Sequence, residues 1–83
     1  MPRVSAKLHY ETLSRLGKSV REERLRRGLT QEAFAELADI HPRVLQKIEA
    51  GRTNVLVTTM IRMQAALRCP WSRLFPDAPE GDG

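Results

Sequence analysis

Apolar residues recur at helical spacing along most of this chain. Leu13, Leu16 and Val20 stand at i, i+3 and i+7, which predicts one side of a first helix running from about Leu8 to the residue before Gly28. Glycine is the preferred residue just beyond a helix end. No segment alternates apolar and polar residues as a half-buried strand does, so the pattern predicts an all-α fold.

Two short amphipathic segments follow, Gln31–Ala38 and Pro42–Ala50. Thr30 is a favourable N-cap for the first of them, and proline is pre-organised for the first position of the second. Only Asp39, Ile40 and His41 separate the two segments. A connection this short prevents antiparallel packing, so the helices are expected to cross at about 90–120°, as in a helix-turn-helix.

Two more helices are predicted towards the end of the chain. Val57–Arg68 has apolar residues at helical spacing, and Pro70 is expected to open a short helix that ends at Phe75. The residues expected to pack inward from this part of the chain are Met60, Met63, Leu67, Trp71, Leu74 and Phe75.

The third predicted helix has two distinct sides. Arg43, Gln46, Lys47 and Ala50 share one of them at i, i+3, i+4 and i+7, and that side carries no acid. The opposite side carries three apolar residues: Val44, Leu45 and Ile48. For a lone helix the polar side would be an ordinary solvated surface. Paired with a second helix at a steep angle, it has the side chains needed to enter the major groove of DNA.

Two further positions connect the predicted helices. Gln31 stands at the start of the second helix, where free N–H groups and the positive end of the helix dipole favour a phosphate. Arg24 falls on the inward side of the first helix, and a charge placed there requires a partner. Glu49, at the border of the apolar side of the third helix, is the candidate partner for a partly buried salt bridge.

The stretches "LGKSVREERLRRGLTQEAFAELADI" and "VLQKIEAGRTN" resemble the Cro and phage-repressor (XRE family) type of helix-turn-helix domain, over about Leu13 to Phe75. The resemblance implies a compact, five-helix, lambda-repressor-like fold. It also implies a homodimeric transcription regulator that binds double-stranded DNA, with the third helix in the major groove.

Functional positions follow from the resemblance by matching residues. The base-reading positions it implies are Pro42, Arg43, Gln46 and Lys47. The phosphate-binding positions it implies are Gln31, Arg52 and Asn54. Arg24 and Glu49 match a salt bridge of the family. The chain departs from the family pattern at Asp39, which replaces a glycine, at His41, which replaces a Ser or Thr cap, and at Val55–Leu56, which replaces Pro-Ser.

A dimer requires a surface that the DNA-binding helices leave uncovered. The fifth helix and the loop before the fourth helix are such surfaces. The residues predicted for the isologous interface are Val55, Leu56, Val57, Trp71 and Phe75.

Composition narrows the classes of function. The net charge is +4, and three of the ten acids lie in residues 76–83, which contain no Lys or Arg, so the rest of the chain is strongly basic and suits a polyanionic partner. There is no apolar run long enough to cross a membrane and no export signal, so a cytoplasmic protein is expected. The single cysteine, Cys69, excludes an internal disulfide, and the two histidines lack partners at metal-ligand spacing, so no metal or cofactor is expected.

These observations predict one domain over residues 8–75, a flexible arm over residues 1–7 and a disordered acidic tail over residues 76–83. No catalytic constellation is present, so an enzyme is not expected. The alternative to a DNA-binding regulator is a protein-interaction module that keeps the fold, binds a protein partner and has little affinity for DNA.

Overall fold

The computed structural model describes residues 6–75, and within that range the chain forms five α-helices and no strand. The helices are α1 (Ala6–Arg26), α2 (Gln31–Ala38), α3 (Pro42–Glu49), α4 (Val57–Leu67) and α5 (Trp71–Leu74). The all-α, five-helix fold class is confirmed. Ala6 and Lys7 belong to α1 and not to the predicted arm; residues 1–5 and the predicted tail, 76–83, lie outside the described residues.

All five helices contribute to one hydrophobic core. Its buried apolar residues are Leu16, Val20, Phe34, Ala35, Ala38, Leu45, Ile48, Met63, Leu67, Cys69 and Leu74. Met60 and Phe75 are partly buried and pack against this cluster. The sequence periodicity therefore identified the inward side of each helix correctly at most positions.

Two side chains expected to face inward are exposed instead: Val44 is 41% exposed and Trp71 42%. Leu37, an apolar residue of α2, is also exposed, at 63%. Each occupies the edge of an apolar stripe on a helix of eight residues or fewer. Helical spacing shows which residues share a side, but another element must cover that side before all of its residues become buried.

Local hydrogen bonds define the connection between α2 and α3. The Thr30 hydroxyl accepts a bond from the Ala33 N–H at 3.0 Å. Asp39 adopts the left-handed conformation (φ 55°, ψ 50°) that the family pattern normally assigns to glycine, and its N–H donates to the Glu36 carbonyl. His41 Nδ1 accepts from the Arg43 N–H at 3.1 Å. A side-chain bond to His41 therefore caps α3, in addition to the proline at its first position.

Gly17 is the point of closest approach between α1 and α3. A Cβ atom added there would lie 2.3 Å from the Ile48 carbonyl oxygen and 2.7 Å from that of Glu49. Because both neighbours are backbone atoms, a side chain at position 17 has no room unless the helices separate. This contact fixes the end of α3 against α1 and accounts for a glycine inside a helix.

Candidate nucleic-acid interface

The exposed side of α3 and the residues just beyond it form an open groove of about 450 Å³. Its lining residues are Arg43, Gln46, Lys47, Ala50 and Arg52. Three of the five are cations and none is an acid. Ala50, the shortest, is the C-cap of α3, so the groove combines a small apolar surface with several hydrogen-bond donors.

Arg52 reaches this groove because the chain turns sharply at Gly51. Gly51 has φ +70°, a left-handed conformation, and a Cβ atom there would lie 2.9 Å from Ser14 Cα. The Gly51 N–H donates to the Ile48 carbonyl and the Arg52 N–H to the Lys47 carbonyl, both at 3.0 Å. Glycine is therefore favoured at position 51 by its backbone conformation and by the lack of space.

Three of the implied DNA-contacting residues, Pro42, Asn54 and Gln31, do not line the groove. Pro42 is half-buried in the first turn of α3 and has no side-chain donor. Asn54 is exposed in the loop two residues beyond Arg52, and its carbonyl oxygen accepts a 3.2 Å hydrogen bond from the Thr53 hydroxyl.

Arg24 and Glu49 form a two-point ion pair between α1 and α3. Arg24 Nε donates to Glu49 Oε2 at 2.7 Å, and Arg24 Nη2 donates to Glu49 Oε1 at 2.9 Å. Arg24 Nη1 donates to the Leu29 carbonyl at 2.8 Å. The side chains are only 8% and 4% exposed. The hydrogen bond to Glu49 raises the pKa of Arg24, and burial opposes that effect only in part.

Gln31 lies at the start of α2, but its amide is already engaged. Gln31 Nε2 donates to Glu49 Oε1 at 3.0 Å. The sequence pattern placed Gln31 and Glu49 on different helices with separate roles and contained no signal for this bond. Only the crossing of α2 and α3 brings the two side chains together.

A second buried carboxylate, that of Glu23, was also not predicted from the sequence. Arg27 Nη1 donates to Glu23 Oε2 at 2.9 Å, and Arg73 Nη1 lies 3.5 Å from Glu23 Oε1. Burial alone would raise the pKa of Glu23, but the bond from Arg27 and the charges of Arg73 and Arg26 lower it. The spacing of Glu23 and Arg27 at i, i+4 could have indicated the first contact. The contact with α5 depends on the tertiary fold.

Cys69 is buried beside this ion cluster and is 3% exposed. Burial, with the nearby charge of Glu23, raises the pKa of the Cys69 thiol. Because the thiolate is the reactive form, the raised pKa and the burial both lower the reactivity of Cys69, which packs in the core.

The residues predicted for a dimer interface fall into two groups. Leu56, Val57 and Trp71 are exposed, with 73% and 74% of the first two accessible. Val55 and Phe75 are partly buried and pack against the core of their own domain. The three exposed members leave apolar surface in contact with solvent, whereas the other two belong to the packing of their own domain.

Residues 6–75 also bear on two other classes of site, a membrane span and a metal centre. No helix there is long and apolar enough to cross a membrane. In the same range, no group of three or more His, Cys, Asp or Glu side chains is placed to hold a metal ion.

The two short helices α2 and α3 are joined by only three residues, and a basic groove runs along the second of them. This arrangement is that of a helix-turn-helix DNA-binding regulator. The chain belongs to the HTH_3 helix-turn-helix family, whose model matches residues 20–74. Family membership confirms the resemblance inferred from the two sequence motifs and identifies a regulator, not an enzyme.

The solved structures that are similar to this chain include two proteins of known source. The restriction-modification controller protein C.AhdI from Aeromonas hydrophila superimposes with a TM-score of 0.73 at 30% identity, over 76% of this chain and 96% of C.AhdI. An HTH_3 family transcriptional regulator from Vibrio cholerae superimposes with a TM-score of 0.78 at 24% identity, and this similarity supports the fold alone. The match covers 87% of this chain but only 40% of the Vibrio protein. No curated protein matches the chain.

Proposed function

We propose that the chain is a sequence-specific regulator of transcription that binds double-stranded DNA as a homodimer, with α3 in the major groove. The observation that carries this proposal is the groove where Arg43, Gln46 and Lys47 meet Arg52 without an acid. Long donors at that position reach the edges of bases, while a nearby cation neutralises the phosphate backbone. Glu49, the one acid of α3, is turned inward and paired with Arg24.

Within this proposal the residues divide into two roles. Arg43, Gln46 and Lys47 read base edges, and Pro42 contributes only shape because it is half-buried and has no donor. The residues assigned to phosphates are Gln31, Arg52 and Asn54. Phosphate contacts fix the position of a protein on the duplex but carry no sequence information.

Binding measurements on two arginine variants test these roles. Arg43→Ala should relax the preference at one base pair per half-site, because a bidentate contact to guanine contributes ~1–3 kcal/mol of discrimination. Arg52→Ala should weaken binding to all sequences about equally and reduce the slope of log affinity against log salt by roughly one unit. The measurement is a set of titrations on a site selected from random duplexes and on its single-base variants, at several salt concentrations.

The same titrations contain the outcomes that would contradict the proposal. A uniform loss of affinity for Arg43→Ala across all variants would remove Arg43 from the base-reading set. A wild-type protein with no salt-sensitive affinity for any duplex would favour the protein-interaction module instead. A selected site that lies in front of restriction or methyltransferase genes would extend the similarity to C.AhdI from structure to regulatory role.

The homodimer is proposed because one domain offers few contacts, whereas two place their recognition helices in successive major grooves about 34 Å apart. We expect a dimer at tens of micromolar by sedimentation. Val57→Glu should shift it to monomer and weaken DNA binding, because a charge would be buried in the interface. Leu37→Glu is the matched control: Leu37 is exposed to a similar extent but lies outside the proposed interface. A strictly monomeric wild-type protein, with and without DNA, would exclude this assembly.

A further inference from the structure

Glu49 joins three helices through one carboxylate. It belongs to α3, accepts two hydrogen bonds from Arg24 of α1, and accepts a third from Gln31 of α2. The Glu49 side chain is 4% exposed, whereas Gln31 is half-buried at the edge of the cluster. The ion pair therefore connects the interior of the domain to a polar side chain at its surface.

The chemistry of a carboxylate determines how the Gln31 amide is oriented. An ionised carboxylate only accepts hydrogen bonds, so the amide must present its nitrogen, Nε2, to Glu49. The structure has this orientation, with Gln31 Nε2 3.0 Å from Glu49 Oε1. One of the two amide hydrogens occupies that bond. The second hydrogen is directed elsewhere by the planar geometry of the amide.

We propose that Glu49, held by Arg24, is a positioning residue for DNA binding: it fixes the Gln31 amide so that the second N–H of Nε2 is already oriented towards a phosphate. This inference rests on the proposed function and adds a role to an ion pair otherwise explained by stability alone. A free glutamine side chain must be ordered when DNA binds. An amide ordered in advance avoids that loss of entropy.

Arg24 has a second part in this arrangement. A lone Glu49 carboxylate next to Gln31 would repel the phosphate that Gln31 binds, and the repulsion would be strong in a poorly solvated region. The two bonds from Arg24 neutralise that charge while leaving Oε1 able to accept from Gln31. The pair thus supplies a hydrogen-bond acceptor without adding net negative charge beside the DNA.

A double-mutant cycle tests the proposal. The double variant R24M/E49M replaces the buried pair by apolar side chains of similar length, a change that often preserves the fold. Gln31→Ala should lower the affinity of the wild-type protein roughly three- to tenfold, equally for all duplexes. In the R24M/E49M background, Gln31→Ala should change the affinity by less than about twofold. The reason is that Gln31 and Glu49 contribute through one shared contact, so their effects on affinity are not additive.

Each outcome of the cycle has a defined meaning. An equal loss for Gln31→Ala in both backgrounds, or no loss in the wild-type protein, would overturn the positioning role. The absence of any duplex binding by the wild-type protein would instead refute the proposed function itself. Glu23→Gln is the control background, since Glu23 is a buried carboxylate bonded to Arg27 and Arg73 but not to Gln31; there Gln31→Ala should keep its wild-type effect.

A measurement on the unaltered protein covers the case in which R24M/E49M does not fold. The side-chain amide signals of Gln31 can be assigned by NMR from their disappearance in Gln31→Ala. In the free protein, the bond to Glu49 should move the chemical shift of one amide proton away from its usual value. That chemical shift should stay the same when duplex DNA is added, whereas the chemical shift of the other amide proton should change. Loss of the first displacement on DNA binding would mean that Gln31 leaves Glu49 to reach the phosphate, which would overturn the proposal.

Discussion

Arg24→Ala should destabilise the protein by ~3–5 kcal/mol, the loss typical for removing one member of a buried ion pair. The reason is the charge left behind: the Glu49 side chain is 4% exposed and would keep a carboxylate without its two bonds from Arg24. The Leu29 carbonyl would lose its bond from Arg24 as well. A domain of this size has only ~5–8 kcal/mol of stability, so we expect a marked drop in the midpoint of urea unfolding.

Two variants distinguish the unpaired charge from other causes. Arg24→Lys keeps a positive charge but cannot make the forked contact with Glu49 and reach Leu29 together, so its loss should be intermediate. R24M/E49M removes both charges and should remain within about 1–2 kcal/mol of wild type, because no buried charge is left unpaired. If Arg24→Ala cost less than ~1 kcal/mol, the pair would be behaving like an exposed surface salt bridge.

The ion pair illustrates what the sequence can predict about tertiary contacts. Arg24 on the inward side of a helix requires a partner, and Glu49 was the acid at a suitable border position; the structure places the two in contact. That prediction needed only the position of each residue around the axis of its own helix. The third member, Gln31, sits at the end of another helix, and its direction depends on the crossing angle of α2 and α3, which residue spacing does not supply.

Helix bounds were predictable where a local signal marks them. Thr30 caps α2 at the predicted residue, and the left-handed conformation of Asp39 ends it at Ala38, as the position of a missing glycine had indicated. The start of α1 was less well predicted, because residues 6–12 are exposed and no buried apolar stripe marks them in the sequence. Its bound lies two residues before Leu8.

The candidate DNA-binding groove was predictable in part. Arg43, Gln46 and Lys47 share a side of α3 by helical spacing alone. Arg52 enters the same groove only because the chain reverses at Gly51, which helical spacing does not predict. The converse error concerns Val44, which was placed on the buried side and is 41% exposed. Helical spacing shows which side chains point towards the core, but the neighbouring helices determine how many of them are buried.

The contact at Gly17 leads to the second large effect. Gly17→Ala would ordinarily stabilise a helix interior by ~1 kcal/mol. Here the new Cβ would lie 2.3 Å from a backbone oxygen of α3, so α1 and α3 must move apart. Overpacking of this kind costs ~1–3 kcal/mol and occasionally more. Because the obstacle is backbone rather than a flexible side chain, we expect a net loss near ~2–3 kcal/mol in urea unfolding.

Gly28→Ala separates this steric effect from a backbone effect. Gly28 has φ +66° and nothing within 4 Å of an added Cβ, so its substitution should cost only the ~1–2 kcal/mol of a left-handed non-glycine residue.

The folded fraction of Gly17→Ala should also bind DNA more weakly, because the displaced end of α3 precedes Ala50 and Arg52, both of which line the groove. Gly28→Ala should keep wild-type affinity once folded. A smaller destabilisation for Gly17→Ala than for Gly28→Ala would mean that α1 and α3 can move apart without a loss of stability. In that case α3 would not be held rigidly for binding.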